Sequence, residues 1–160
     1  MEKEYLLPEK LYKLLKKKGL TVATAESCTG GLIGASLTSV PGMSECYGYG
    51  VVTYANSAKE ELLGVMGDTL KTKGAVSPDT ACQMAEGVLK ISNADIAVSV
   101  TGIAGPGGGT KDKPVGLVYI GIAKKGEDTK AYKNIFSGDR EQVRKSTVSK
   151  ALELVIENID

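Results

Sequence analysis

No histidine occurs anywhere in the 160 residues. That absence removes Ser-His-Asp and Cys-His nucleophile chemistry together with every His-ligated metal site. Any activated nucleophile must therefore take its base from Lys, Tyr, Asp or Glu. Cysteine is scarce: Cys28, Cys46 and Cys82 are odd in number and widely spaced, which argues against a disulfide framework and against a CxxC zinc site. No charge dominates, with 20 basic against 19 acidic residues, so neither a general nucleic-acid surface nor an anionic-membrane surface is indicated. No apolar run approaches the roughly 20 residues that span a bilayer. Met1-Glu2-Lys3-Glu4 lacks the basic-then-apolar layout of a signal peptide, and a cytoplasmic protein is expected.

What is present fits one α/β domain: the length allows a proper core, glycine reaches 20 residues, and aromatics are few. Leu6, Leu7, Leu11, Leu14 and Leu15 fall at helical spacing in a segment that ends on Lys16 to Lys18 and stops at Gly19. The apolar run Thr21 to Ala25 reads as a strand, and Leu32 to Val40 as a helix closed by Pro41-Gly42. Glu45 to Tyr54 alternates and is rich in Val and Tyr, as a second strand does. Asn56 to Leu63 reads as a short helix with Asn56 as N-cap and Ala58, Leu62 and Leu63 inward, leaving Lys59 on its first turn.

Residues 64–75 look like a short helical excursion and a loop. Ser77-Pro78 then caps a helix with Ala81, Met84, Ala85, Val88 and Leu89 inward. Asp95 to Val100 is a nearly continuous apolar run of strand length, Val115 to Ala123 and Thr129 to Phe136 form a hairpin, and Ser137 to Arg140 cap a long amphipathic helix, Glu141 to Ile159. No repeat or linker interrupts the pattern. A three-layer α/β/α domain with a mixed sheet of about five or six strands is expected.

The chain is organised around Ala25-Glu26-Ser27-Cys28-Thr29-Gly30-Gly31, a strand-turn-helix junction. The first amides of such a helix have no partner within it and face whatever sits over the turn. Ser27 and Thr29 are candidate caps, and Gly30 and Gly31 let a ligand approach the backbone. An ordinary N-cap with glycines for packing fits the same residues. Two more polar turns, Tyr54 to Lys59 and Thr101 to Gly109, end predicted strands, where ligands gather in parallel sheets. The second is neither a P-loop nor a dinucleotide fingerprint, since no GK[ST] and no helix follow it.

Taken with Val52-Thr53-Tyr54-Ala55-Asn56, Gly74-Ala75-Val76-Ser77, Thr101-Gly102-Ile103-Ala104-Gly105-Pro106, Lys113-Pro114-Val115-Gly116 and Phe136-Ser137-Gly138-Asp139-Arg140, the central turn resembles the CinA C-terminal domain family in order and over nearly the whole chain. That family comprises nicotinamide-nucleotide amidohydrolases. Many relatives carry a further N-terminal domain, for which this chain has no room, so a stand-alone form is expected. The resemblance implies deamidation of nicotinamide mononucleotide, in pyridine-nucleotide recycling, by a serine paired with a lysine and with no metal or organic cofactor.

Carried over by position, the resemblance puts the nucleophile on Ser27 and its base on Lys59. Tyr54, Thr101 and Arg140 become further site residues. Amides at Cys28, Thr29 and Gly30 are the candidate oxyanion donors, and Gly31, Gly102 and Gly105 border the substrate. Arg140 or the amides of residues 105–109 suit the phosphate, and Tyr54 or Glu26 the pyridinium ring. Lys59 must be neutral at about pH 7 to act as a base, which burial and the positive helix end favour. The expected partner is a small nucleotide substrate, with no nucleic acid and no membrane, in a homodimer or higher homo-oligomer. Two rivals remain: Cys28 as the nucleophile, and a nucleotide-binding module without catalysis.

Overall fold

The computed structural model describes residues 2–160, with side chains from Leu6 onward. The two buried apolar runs become the centre of the sheet. β1 (Val22–Glu26) and β3 (Ile96–Gly102) lie side by side and parallel, pairing Val22 with Ile96 through Glu26 with Val100. β2 (Tyr47–Val52) adds in parallel outside β1, while β4 (Leu117–Lys124) and β5 (Lys130–Ile135) continue antiparallel beyond β3. The order is β2-β1-β3-β4-β5, a mixed sheet of five strands. Its three parallel strands send their carboxyl ends to one edge, and the three polar turns meet there.

The faces of the sheet differ in residue size, and that difference positions the site. Val22, Ile96, Val98, Val100, Val118 and Ile120 point to one side, where they pack against Leu11 and Leu15 of α1 (Glu2–Lys18), Ile33 and Leu37 of α2 (Leu32–Thr38), and Val143, Leu152 and Val155 of α6 (Arg140–Ile159). Ala23, Ala25 and Ala97 point to the other side, toward Met84 and Val88 of α5 (Pro78–Ser92) and Leu63 of α3 (Asn56–Leu63). Small residues let α5 approach the sheet closely: Ser99 Oγ donates to the Ala81 carbonyl at 2.6 Å, and a Cβ at Gly121 would lie 2.4 Å from the same oxygen. α3 closes on α5 in the same way, since a Cβ at Gly87 would lie 2.0 Å from the Leu63 carbonyl. The phase of α3, and hence the direction of its side chains, follows from that contact.

That phase corrects part of the sequence reading. Leu62, expected inward, is 50 % exposed, and Lys59 takes the inward position one turn before Leu63. Asn56 is the first helical residue rather than the cap; the cap position falls on Ala55, without a side-chain bond. Leu6 also lies exposed beside an α1 stripe that buries Leu11 and Leu15. The expected strand Glu45 to Tyr54 is shorter, because Met43–Glu45 forms a single 3-10 turn and β2 starts at Tyr47. The helical excursion in 64–75 is α4 (Gly67–Thr72). Ser77 caps α5 by accepting from the Thr80 amide, with Pro78 in its first turn, and Asp139 and Gln142 form a capping box on α6.

Candidate active site

β1 ends on Glu26, and the next residues make a tight turn rather than entering the helix directly. Ser27 N–H is held by the Val100 carbonyl of β3 at 3.1 Å, and Gly30 N–H turns back to the Ser27 carbonyl at 3.1 Å. The chain then passes through left-handed backbone at Gly30 and Gly31, with φ of 60° and 111°, which glycine adopts without strain.

The expected caps are not the ones used. Glu26, buried at the strand end, accepts the amides of Gly31 (3.2 Å) and Ile33 (2.9 Å) on Oε1 and that of Gly34 (3.0 Å) on Oε2. Thr29 supports that carboxylate, donating its hydroxyl to Oε1 at 2.5 Å, and Ser27 turns elsewhere. Glu26 is thus an internal cap for the dipole of α2, and it is not among the residues that wall the pocket over the turn. The pyridinium role suggested for it fails for this reason.

The same bonds consume the Gly30 and Gly31 amides, so Gly30 is not free to be an oxyanion donor and neither glycine reaches the pocket wall. Among the described residues, the Cys28 and Thr29 amides donate to no backbone acceptor, and the Cys28 amide faces its own thiol.

Lys59 reaches back from α3 to this turn. Its Nζ lies 3.0 Å from Ser27 Oγ, 2.6 Å from the Thr53 carbonyl and 3.5 Å from the Tyr54 carbonyl, and the residue is 1 % exposed. Burial pushes its pKa below the ordinary lysine value, and no ion pair among the described residues offsets that shift. The partners also order the amine. Two carbonyls can only accept, so a neutral Nζ directs its hydrogens to Thr53 and Tyr54 and leaves its lone pair for the Ser27 hydroxyl.

Cys28, next on the turn, is buried, and desolvation pushes its thiol up to about 11. A protonated thiol is a poor nucleophile, which weighs against the Cys28 alternative.

A pocket of about 280 Å³ opens over the Ser27–Lys59 pair, walled by Cys28, Tyr54, Thr101, Arg140 and the glycine loop from Gly102 to Gly108. Thr101 spends its hydroxyl on the Ala75 carbonyl at 2.8 Å, so it fixes the opposite wall. Gly102 is required by crowding, since a Cβ there would lie 2.5 Å from Val118 Cγ2 and 2.8 Å from the Leu117 carbonyl. Gly105 combines φ of 85° with a Cβ position 2.5 Å from Val115 Cγ1. Arg140, at the first turn of α6, donates Nη1 to the Gly105 carbonyl at 2.9 Å and lies 3.4 Å from the Tyr54 hydroxyl. Tyr54 is 67 % exposed at the rim.

Thr29, Gly30 and Gly31 lie behind the wall rather than in it. No carboxylate lines the pocket, and no group of three metal-ligating side chains occurs among the described residues.

A profile of the CinA C-terminal domain matches residues 4–159. The chain belongs to the CinA C-terminal domain family. A CinA-like protein of Endomicrobium trichonymphae is 56 % identical over 143 residues, covering 89 % of this chain and 33 % of its own length. A protein of Halothermothrix orenii with a competence-damage inducible name is 53 % identical over 150 residues, covering 94 % of this chain and 36 % of its own. The chain therefore spans about a third of the length of the curated relatives it matches.

Solved structures cover the domain more fully. The competence/damage inducible protein CihA of Agrobacterium tumefaciens superposes with a TM-score of 0.94 at 45 % identity, covering 97 % of this chain and 94 % of that one. The competence damage-inducible protein A of Klebsiella pneumoniae gives a TM-score of 0.94 at 35 % identity, with 98 % and 96 % coverage.

Two participants in this CinA domain's site were missed by sequence reasoning. Arg144 donates Nε to the Cys28 carbonyl and Nη2 to the Thr29 carbonyl, both at 3.1 Å. Its signal was available, because Arg144 follows Arg140 by four residues and must share a helix face with it. The Thr53 carbonyl that anchors Lys59 has no sequence signal at all.

Proposed function

We propose that this CinA C-terminal domain hydrolyses the carboxamide of nicotinamide mononucleotide, releasing ammonia and leaving nicotinate mononucleotide. The observation that carries the reading is the buried Lys59 amine 3.0 Å from the Ser27 hydroxyl, with its pKa lowered by burial and no acidic partner among the described residues. Such an amine is a base suited to a chain without histidine.

As Ser27 Oγ bonds to the amide carbon, its proton moves to Lys59 Nζ and the carbonyl electron pair moves onto oxygen. The Cys28 amide, the next residue in the chain and on the pocket wall, is the candidate donor to that developing charge. Burial makes the resulting ammonium eager to shed its proton, so it protonates the leaving nitrogen as the C–N bond breaks and ammonia departs. Water then attacks the acyl ester with Lys59 again as base, and the proton returns to Ser27 Oγ as the carboxylate leaves. The sum is amide plus water giving acid plus ammonia.

Arg140 suits the phosphate: among the described residues it is, apart from Lys59, the one cationic side chain on the pocket wall, and its Gly105 bond occupies only part of the guanidinium. The test is ammonia release by the purified chain from nicotinamide mononucleotide beside free nicotinamide. Turnover of the nucleotide alone supports both deamidation and phosphate recognition. Equilibrium binding of the nucleotide with no ammonia over long incubation would favour a binding module instead.

A further inference from the structure

From the α6 side of the turn we infer that Arg144 is a positioning residue for the oxyanion donor on the nucleophile turn, setting the orientation and the donor strength of the Cys28 amide and of the Thr29 amide behind it. The inference rests on the serine-amidase reading above and adds a residue to it. Arg144 does not line the pocket, so it acts through the backbone.

The connectivity is specific. Nε holds the Cys28 carbonyl, which belongs to the same peptide group as the Thr29 N–H. A fixed positive charge on a carbonyl oxygen draws electron density through the amide and makes its N–H a stronger donor. Nη2 holds the Thr29 carbonyl, whose peptide carries the Gly30 N–H. That N–H donates to the Ser27 carbonyl, whose peptide in turn carries the Cys28 N–H at the pocket wall. One guanidinium thus polarises the pocket-facing Cys28 amide through a single intervening hydrogen bond, and the Thr29 amide behind it directly. Arginine suits the task because its fork spans two adjacent carbonyls and stays charged at every working pH.

Arg140 and Arg144 divide the labour along one helix face. Arg140 grips the glycine loop through the Gly105 carbonyl, and Arg144 grips the nucleophile turn. The turn has little else to fix those two carbonyls: among the described residues, the only other donor to either is the Leu32 amide, which reaches the Thr29 oxygen at 3.1 Å.

The test compares the full chain with Arg144→Gln and Arg144→Lys. The proposal expects Arg144→Gln to lose about 10- to 100-fold in kcat toward nicotinamide mononucleotide, a fraction of what deleting an oxyanion donor costs, with KM little changed. Arg144→Lys should recover part of the loss because one carbonyl regains a cation. A kcat equal to wild type in folded Arg144→Gln, or a loss confined to KM, overturns it.

A second readout is independent of turnover. In the ¹⁵N-labelled chain, the amide proton resonances of Cys28 and Thr29 should shift upfield in Arg144→Gln and return part-way in Arg144→Lys. Unmoved resonances also overturn the proposal. A wild-type chain that releases no ammonia defeats the amidase reading alone, and the resonance comparison still decides whether Arg144 controls these amides.

Discussion

Replacing Lys59 by methionine separates the cost of burying an amine from the use made of it. The side chain is 1 % exposed, and methionine is an unbranched apolar substitute for its buried stem. Two effects oppose each other. Methionine leaves the Thr53 carbonyl without its donor, a pH-independent cost of about 1–3 kcal/mol. It also removes a buried ionisable group, and that effect depends on pH.

In the wild type, burial lowers the folded pKa of Lys59 below the unfolded value of about 10.4. Between those two values the unfolded chain binds one more proton than the native one, so stability rises with pH. Above the unfolded value both states are neutral and the stability is fully present. Falling pH removes it down to the folded pKa, below which both states are protonated and the dependence ends. The limiting slope is about 1.4 kcal/mol per pH unit.

Urea unfolding of wild type and Lys59→Met in steps from about pH 7 to about pH 10 isolates this contribution, since every other titrating group is common to both proteins. The expected result is that the stability of wild type relative to the variant climbs with pH inside that window. A difference that stays flat would refute the claim that burial depresses this amine.

Two further substitutions test the scaffold. Glu26→Gln keeps the size of the internal cap but puts an NH₂ where two oxygens now accept, so the midpoint of thermal unfolding should fall by an amount equivalent to about 2–3 kcal/mol; an unchanged midpoint would show that the carboxylate is not needed there. Gly87→Ala places a Cβ about 2.0 Å from the Leu63 carbonyl and must push α3 off α5. Both stability and ammonia release should drop, because Lys59 rides on α3; a variant with wild-type activity would show that the helix spacing does not position the base.

The fold was legible where burial alone decides. The apolar run before Thr101 and the period of the last helix correspond to β3 and α6, and the Ser77-Pro78 pair marks the start of α5. Reading failed where a tertiary contact sets the phase. On α3, hydrophobicity favours Leu62 inward, yet the Gly87 contact turns Lys59 in and Leu62 out. Glu26 misled for a related reason: an acid beside a candidate nucleophile reads as a site residue, whereas here it satisfies the amides of a helix that starts six residues later. The pairing of Ser27 with Lys59, 32 positions apart, came from the family resemblance and not from any local pattern. No spacing rule announces that a backbone carbonyl will hold a lysine in place.

The most direct measurement is ammonia release from nicotinamide mononucleotide across pH by wild type, Ser27→Ala and Lys59→Met. The account predicts that wild-type kcat/KM rises with pH to a plateau as Lys59 loses its proton, at a midpoint below the ordinary lysine value. Both variants, still folded, should turn over at least about 100-fold more slowly. Wild-type turnover in either variant would contradict it.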